Sequence, residues 1–199
     1  MSTDDQPCLN IRGEQAALGP LRRDLLPLYT RWRNDFAIQW TFGNLPEPVT
    51  EDRQAQWLDR QTNGDAIWFT VYQLEPFRPV GITDLFEIDY RWGTARFGVL
   101  IGEEGARGVG LGTEVARLML DYAFTVLGLY NVMLSVVEYN EAGRRAYEKA
   151  GFREIGRRRG ADLTAGHRYD EIFVDCIATG FESPVLANVF SPDRLRRRS

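Results

Sequence analysis

The chain has 199 residues, of which 44% are hydrophobic, and its formal net charge is −4. This length and apolar fraction predict one globular domain with a single core, and the negative charge argues against nucleic acid as a partner. No run approaches the roughly eighteen apolar residues of a membrane span, so we expect no membrane association. Residues 1–6 are acidic and polar and lack the apolar segment of a secretory signal, which predicts a cytoplasmic protein.

Histidine and cysteine are scarce. The chain has a single histidine, His167, which is predicted in an exposed turn, and two cysteines, Cys8 and Cys176. These are too few and too scattered for a structural zinc site, so no metal is predicted. The cysteines lie far apart, and Cys176 falls in an apolar segment, which favours free thiols in a reducing compartment over a disulfide.

Hydrophobic periodicity and turn residues predict alternating strands and helices. The predicted elements, in chain order, are a strand 9–12, a helix 21–34, a loop 40–50, a helix 51–61 capped by Thr50, a strand 66–74, a turn 76–79, strands 80–90 and 94–101, a helix 113–127, a strand 131–137, a helix 141–149, and a hairpin of 153–160 with 169–178. We expect residues 1–8 to be a flexible terminus, 9–180 one domain and 181–199 a C-terminal tail. This order of elements predicts a mixed α/β sheet.

A glycine-rich turn precedes the helix predicted from residue 113. Its residues are Arg107, Gly108, Val109, Gly110, Leu111 and Gly112. Glycines at these positions let several backbone N–H groups converge in front of the positive end of a helix, a geometry that holds phosphate oxygens, and Arg107 adds a charged donor. By itself the pattern fits a tight strand-to-helix connection without a ligand equally well.

A second pattern follows about thirty residues later. Asn140 is followed seven residues on by Tyr147, and the helix that carries Tyr147 stops at Gly151 and Phe152. Together the two patterns resemble the GNAT acetyltransferases, whose signature is Arg/Gln-x-x-Gly-x-Gly/Ala at the start of a helix, followed by Asn, Tyr and Gly-Phe. The resemblance covers about residues 10–180.

The resemblance implies a fold, an activity and a branch of the family. The fold is a twisted mixed sheet flanked by helices, whose two central strands splay apart to admit the pantetheine arm of acetyl-coenzyme A. Segments 19–25, 97–101 and 166–170 look most like the branch of ribosomal-protein N-terminal acetyltransferases and spermidine N-acetyltransferases. In the spermidine branch a glutamate commonly precedes the residue matching Phe97, and Arg96 stands there instead, which weighs against a polyamine acceptor.

The resemblance also implies the residues that hold acetyl-coenzyme A. The glycine turn would surround the pyrophosphate, the strand 99–101 would bond the pantetheine, and Asn140 would bond the amide groups of the cofactor, cap the following helix, or do both. The predicted cofactor residues are Leu100, Ile101, Arg107, Gly108, Val109, Gly110, Leu111, Gly112, Thr113 and Asn140.

Two side chains are candidates for catalytic proton transfer. A phenol of pKa about 10, such as Tyr147, can protonate the departing thiolate; aromatic packing on the sheet is the alternative. Strand alternation places Asp84 on an otherwise apolar face, where burial would raise its pKa toward that of a useful base. A hydrogen-bonded structural aspartate is equally compatible with this pattern, and the family has no universal base, so deprotonation through water also stays open.

The segment 32–50 is dense in aromatic residues and is the predicted acceptor pocket. Trp32, Asp35, Trp40 and Phe42 would suit a cationic amine through cation–π contact and charge pairing. Ordinary core packing at the edge of a helix and loop is the alternative.

The sequence therefore predicts an N-acetyltransferase that moves the acetyl group of acetyl-coenzyme A to a primary amine of a small molecule, by direct attack in a ternary complex. A polyamine, an amino sugar or an amine-bearing antibiotic would serve as acceptor. The amino terminus of a protein is the alternative acceptor, and a non-catalytic sensor that binds acyl-coenzyme A is the alternative of another class. Assembly into a homodimer is compatible with this prediction.

Overall fold

One mixed sheet organises the chain, for which the computed structural model describes residues 7–43 and 46–190. The strands are β1 (Ile11–Arg12), β2 (Ala16–Gly19), β3 (Ile67–Leu74), β4 (Phe77–Asp89), β5 (Thr94–Ile101), β6 (Asn131–Val137), β7 (Arg153–Thr164) and β8 (His167–Ile177). The helices are α1 (Leu26–Asn34), α2 (Phe36–Thr41), α3 (Glu51–Thr62), α4 (Leu111–Asp121), α5 (Glu141–Ala150) and α6 (Leu186–Val189). The order across the sheet is β1-β2-β3-β4-β5-β6-β8-β7.

The central strands β5 and β6 form the one parallel pair among the described strands, and they are paired over part of their length. Their ladder runs from Thr94 opposite Asn131 to Arg96 opposite Met133. Beyond it, residues 97–101 of β5 and 134–137 of β6 line a common cavity. The strands therefore splay apart, which confirms the predicted fold.

Two hydrophobic clusters cover the two faces of the sheet. The larger contains Leu85, Phe97 and Leu134 and packs beneath α4 and α5. The smaller joins Leu100 to the helices α1, α2 and α3 through Trp32 and neighbouring apolar side chains. Because side chains alternate along a strand, Asp84 lies on the face of the smaller cluster.

Several predicted elements hold in the structure. The prediction of β6 is confirmed at both ends, and α3 begins after Thr50, whose hydroxyl accepts a hydrogen bond from Arg53 N at 3.3 Å. Both cysteines are free, with Cys8 exposed and Cys176 buried. His167 is exposed, at the first position of β8 rather than in the turn before it.

The N-terminal elements differ most from the prediction. β2 was missed because its four residues are all buried, which leaves no polar alternation to detect. The helix predicted at 21–34 begins at Leu26, after a 3-10 turn at Arg23–Leu25, and its proline occupies the first turn, where no backbone N–H is needed. The predicted loop overlaps the end of α2, which was also missed.

Other boundaries shift by a few residues. The turn predicted at 76–79 is shorter, since β4 already starts at Phe77. The helix predicted at 113–127 begins at Leu111 and ends in a π-helical segment, Tyr122–Val126. β7 and β8 extend toward each other and meet at a two-residue turn.

The ordered fold continues beyond the predicted domain boundary at residue 180. Asp121 is fully buried, and its carboxylate accepts hydrogen bonds from Val185 N at 3.0 Å and Leu186 N at 2.9 Å. Phe181 packs edge-on against Phe124, with ring centroids 5.2 Å apart. Residues 181–186 thus pack against the domain, whereas 1–6 and 191–199 lie outside the described residues.

Candidate active site

A cavity of about 640 Å³ occupies the gap between β5 and β6. Its walls come from the splayed halves of these strands, the face of β4 that carries Asp84, the end of α2, the start of α5 and the β7–β8 hairpin. Because the two strands splay apart, residues from both faces of the sheet line the cavity. Its size is that of a small-molecule site.

Asp84 is a buried carboxyl group in the wall of this cavity. It is 6% exposed, and among the described residues no hydrogen bond reaches its oxygens. Burial alone raises its pKa from 3.8 to about 7. A group with this pKa exchanges protons near neutral pH, as a general base must.

Gly98 creates the space for Asp84. The two residues are opposite each other in the β4–β5 ladder, and a Cβ at Gly98 would collide with Asp84 Oδ1. β5 carries no carboxylate of its own, so β4 supplies one across this gap. The sequence signal for this arrangement was a glycine in the middle of an otherwise bulky strand.

Tyr147 reaches the same cavity from the other face of the sheet. Its ring packs edge-on against Phe97 and Phe152, with centroid distances of 6.3 and 5.9 Å, within the larger cluster. Burial raises the pKa of its hydroxyl to about 12. The ring therefore packs on the sheet, which was the alternative to proton transfer, and the residue also lines the cavity.

Asn140 caps α5 and ties it to α2. Its Oδ1 accepts a hydrogen bond from Gly143 N at 2.9 Å, and its Nδ2 donates to Thr41 O at 2.9 Å. Tyr139 next to it donates from its hydroxyl to Trp40 O at 2.9 Å. The capping role is thus established, and among the described residues the second amide N–H of Asn140 has no acceptor and can meet a ligand in the cavity that it lines.

The glycine turn lies at the start of α4. Gly108 and Gly110 have φ angles of +75° and +93°, which L side chains rarely adopt. Gly110 is the N-cap of the helix and has no side chain to cap it. In the described part of the chain, the backbone N–H groups of 108–112 have no acceptor. Unpaired N–H groups at a helix start attract an anion.

The space around the turn fits a phosphate group. A Cβ built at Gly108, Gly110 or Gly112 would meet no described atom within 4 Å, so the region in front of the backbone is open. Arg107 lies beside it and donates from Nε to Ile101 O at 3.0 Å and from Nη2 to Gly102 O at 3.1 Å. The guanidinium fixes the end of β5 and adds positive charge at the turn. The residues present are those that a pyrophosphate would require.

The predicted acceptor residues are only partly brought together. Trp32 and Phe42 lie with Asp84 around a smaller adjoining cavity of about 100 Å³, and Phe42 also lines the larger one. Trp32 is buried, and its Nε1 donates to Glu103 Oε1 at 2.7 Å, so it contributes mainly to the core.

Asp35 and Trp40 are not among the described residues that line either cavity, and their role as acceptor residues stays a prediction. Asp35 caps α2 through bonds to Ala37 N and Ile38 N, so its carboxylate is already used. Trp40 is 42% exposed and stacks on Tyr139 at 4.7 Å.

Other cavity residues were not predicted as site residues. These are Trp68 on β3, Phe86 on β4, Arg96 on β5, and Arg158, Asp162 and Glu171 on the β7–β8 hairpin. No local pattern marks them, because they meet only when the strands pair.

Within the described ranges, no three His, Cys, Asp or Glu side chains are grouped to hold a metal ion. Nor does any described helix combine the length and apolar character needed to cross a membrane.

Comparison with known proteins identifies the family. Residues 17–153, well over half of the chain, match the family model described as "Acetyltransferase (GNAT) domain". The chain belongs to the GNAT acetyltransferase family. This confirms the predicted resemblance.

Individual relatives add detail on what this GNAT chain is similar to. Spermidine N(1)-acetyltransferase of Escherichia coli (strain K12) is 42% identical over 72 residues, which are 36% of this chain and 38% of that protein. The match therefore spans less than half the length of that relative. Human alpha/beta-tubulin-N-acetyltransferase 9 is 29% identical over 156 residues, covering 72% of this chain and 74% of that one.

A solved structure shows the same fold. Spermidine N-acetyltransferase from Vibrio cholerae, in complex with CoA and spermine, superposes with a TM-score of 0.77 at 23% identity. The alignment covers 85% of this chain and 99% of that chain. The GNAT fold is thus established for the described residues.

Proposed function

We propose that this protein transfers the acetyl group of acetyl-coenzyme A to a primary amine of a small molecule, by direct attack in a ternary complex. One observation carries the proposal. Asp84 and Tyr147 approach one cavity from opposite faces of the sheet, at the gap between β5 and β6. A proton acceptor on one side and a proton donor on the other is what amine acetylation requires.

The glycine turn and the splayed strands would hold acetyl-coenzyme A. The open N–H groups of 108–112 and Arg107 suit the pyrophosphate. Residues 99–101 of β5 lie beyond its ladder with β6 and offer peptide groups to the pantetheine. Bound acetyl-coenzyme A supplies a thioester, the activated form of the acetyl group. Membership of the GNAT family supports this choice of donor.

Asp84 would remove the proton from the acceptor amine. An alkyl ammonium has a pKa of about 10, so it must lose a proton before it can attack a carbonyl carbon. With a pKa of about 7, Asp84 is largely ionised at pH 8 and is a stronger base than a solvated carboxylate. The ionised carboxylate also attracts the ammonium into the cavity.

Tyr147 would hold a proton for the departing sulfur. A pKa of about 12 keeps its hydroxyl protonated but also makes it a weaker acid than a phenol in water. The same apolar surroundings raise the basicity of a thiolate formed there, which narrows the difference between donor and acceptor. Its contribution is therefore a hydrogen bond that strengthens as charge develops on sulfur.

The size of the cavity favours a small acceptor. A volume of about 640 Å³ accommodates a small molecule beside the pantetheine end, and carboxylates of Asp84, Asp162 and Glu171 line it. The names of the spermidine-acetylating relatives support a polyamine among the small amines. Amino sugars and amine-bearing antibiotics stay candidates because they too are small amines that suit a cavity of this size.

A protein amino group is the second candidate acceptor. The observation in its favour is the human relative named as a tubulin N-acetyltransferase, whose match extends over 74% of its length. A non-catalytic sensor of acyl-coenzyme A is the alternative function. It is disfavoured because a protein that only binds acyl-coenzyme A has no use for Asp84 and Tyr147 on opposite sides of one cavity.

The test is an amine panel incubated with acetyl-coenzyme A, with release of free thiol as the readout. Spermidine, glucosamine, an aminoglycoside and a tetrapeptide with a free amino terminus represent the acceptor classes. Thiol release with a small amine supports the proposal, and release with the peptide alone supports the second candidate. Tight binding of acetyl-coenzyme A in calorimetry without thiol release from any amine would establish the sensor.

A further inference from the structure

Two buried donors in the cavity lack partners. Arg96 Nε and Trp68 Nε1 are both shielded from solvent, and among residues 7–43 and 46–190 neither has a hydrogen-bond acceptor. Both side chains line the cavity at the gap between β5 and β6. A buried donor without an acceptor destabilises a protein, so a ligand that supplies an oxygen is the simplest explanation for two of them in one wall.

Strand register places these donors beside Asp84. Trp68 is directly opposite Asp84 in the β3–β4 ladder, and Arg96 is opposite Phe86 in the β4–β5 ladder. Residues two apart on a strand share a face, so Phe86 lies on the same face as Asp84. Arg96, which is opposite Phe86, therefore lies on that face too. The cavity thus combines a carboxylate with two N–H donors on one surface.

The Arg96 guanidinium is positioned by its neighbours. It lies over the ring of Phe86 at 5.3 Å from the centroid, Nη2 donates to Ser135 Oγ at 3.4 Å, and Nη1 is 3.6 Å from Glu87 Oε1. Glu87 is largely exposed and therefore offsets the charge only weakly. Nε has no acceptor among the described residues, and Nη2 carries a second N–H besides the one that it gives to Ser135. Two neighbouring N–H groups of a guanidinium match the planar pair of oxygens of a carboxylate.

We propose that Arg96, assisted by Trp68, selects an acceptor that carries a carboxylate a few bonds from its primary amine. The ammonium faces Asp84, and the carboxylate faces the Nε edge of Arg96 and the indole N–H of Trp68. The inference rests on the proposed acetyl transfer and names its substrate class. The inference departs here from the polyamine that the names of the relatives support, because a polycation such as spermidine brings further positive charge toward the Arg96 guanidinium.

The wild-type enzyme provides the first test. Primary amines bearing a carboxylate one to four carbons from the nitrogen are each compared with their own carboxamide, which keeps the shape and removes the charge. At least one carboxylate should exceed its carboxamide in kcat/KM by about tenfold to a hundredfold, the range expected for a charge-assisted bond. Carboxamides equal to or better than every carboxylate, or spermidine or the tetrapeptide better than all of them, would overturn the inference.

Variants locate the effect. Arg96→Gln should raise KM for the preferred carboxylate at least about tenfold and leave its carboxamide unchanged, while Arg96→Lys should recover part of the loss because it keeps the charge but not the planar fork. Trp68→Phe, which removes the indole N–H, should raise the same KM by a smaller factor. Arg157→Gln is the matched control, since Arg157 is bonded to Glu154 on the surface.

The outcomes separate this inference from the proposed function. If no amine releases thiol, the acetyl transfer itself is wrong. If amines are acetylated but Arg96→Gln alters carboxylate and carboxamide equally, the transfer stands and the role of Arg96 is wrong. Melting temperatures of the variants show whether folding is preserved, and the wild-type comparison needs no variant.

Discussion

Replacing Asp84 by asparagine should stabilise the folded protein at alkaline pH while impairing turnover. The carboxyl group is 6% exposed and lies in a wall where desolvation alone acts on it, raising its pKa from 3.8 to about 7. Asparagine has the same shape and cannot ionise. The substitution therefore removes a buried charge without opening a cavity.

The magnitude follows from the pKa. At about 1.4 kcal/mol for each tenfold change in proton affinity, the ionised carboxylate destabilises the folded state by about 4 kcal/mol. Because the folded pKa is raised above the unfolded one, the carboxyl group contributes no destabilisation below pH 3.8. As pH rises from about 4 to 7, the carboxyl group ionises in the unfolded chain but not in the folded one, so the free energy of unfolding falls. Above pH 7 it falls no further.

Urea unfolding of both proteins at pH 8 and at pH 4 measures this effect. Asp84→Asn should have a free energy of unfolding larger by about 2–4 kcal/mol at pH 8 and nearly unchanged at pH 4, after allowing for an amide N–H without a partner. Asp65→Asn, at an exposed position, is the control and should show no such difference. A variant that is less stable than the wild type at pH 8 would refute a desolvated carboxylate.

The same substitution, Asp84→Asn, should lower turnover although it raises stability. The wild-type profile of kcat/KM against pH should fall on its acidic side with a midpoint near pH 7, the pKa of the free enzyme's base. Asp84→Asn should lower kcat and abolish that limb. If the limb persists in the variant, another group or a chain of water molecules removes the proton, and Asp84 only shapes the cavity.

Three further predictions test the rest of the site and the fold. Tyr147→Phe should lower kcat about ten- to a thousandfold with little change in acetyl-coenzyme A affinity, as expected for a group acting as the thioester breaks; Tyr122→Phe, outside the cavity, should leave kcat unaltered, and wild-type turnover in the first variant would return Tyr147 to packing alone. Gly110→Val should abolish acetyl-coenzyme A binding in calorimetry, whereas Gly128→Val, which introduces the same strain at the far end of the helix, should lower stability and spare binding; unchanged affinity at position 110 would exclude the turn as the phosphate site. Asp121→Ala should reduce the free energy of unfolding by about 2–4 kcal/mol and expose residues 181–190 to protease, because two backbone N–H groups lose their buried acceptor; wild-type protease resistance would show that apolar packing alone holds the segment.

The elements predicted best are those whose signals are local. β6 and α3 were bounded correctly because alternation, a threonine cap and acidic first-turn residues act within a few positions of one another. β2 and α2 were missed for the opposite reason. β2 is buried on both faces and shows no alternation, and α2 is only six residues long and follows its capping residue Asp35.

The residues of the candidate site also fall into those that local sequence predicts and those that only the fold brings together. The sequence by itself determined the glycine turn, the Asn140 cap and the presence of a carboxylate on an apolar strand face, since each depends on neighbours in the chain. Only the tertiary structure placed Asp84 over Gly98 and brought Arg96 and Trp68 to its side. The positions of these strand residues depend on how the strands pair across the sheet, and a shift of one residue in register would turn the side chains of the shifted strand to the other face.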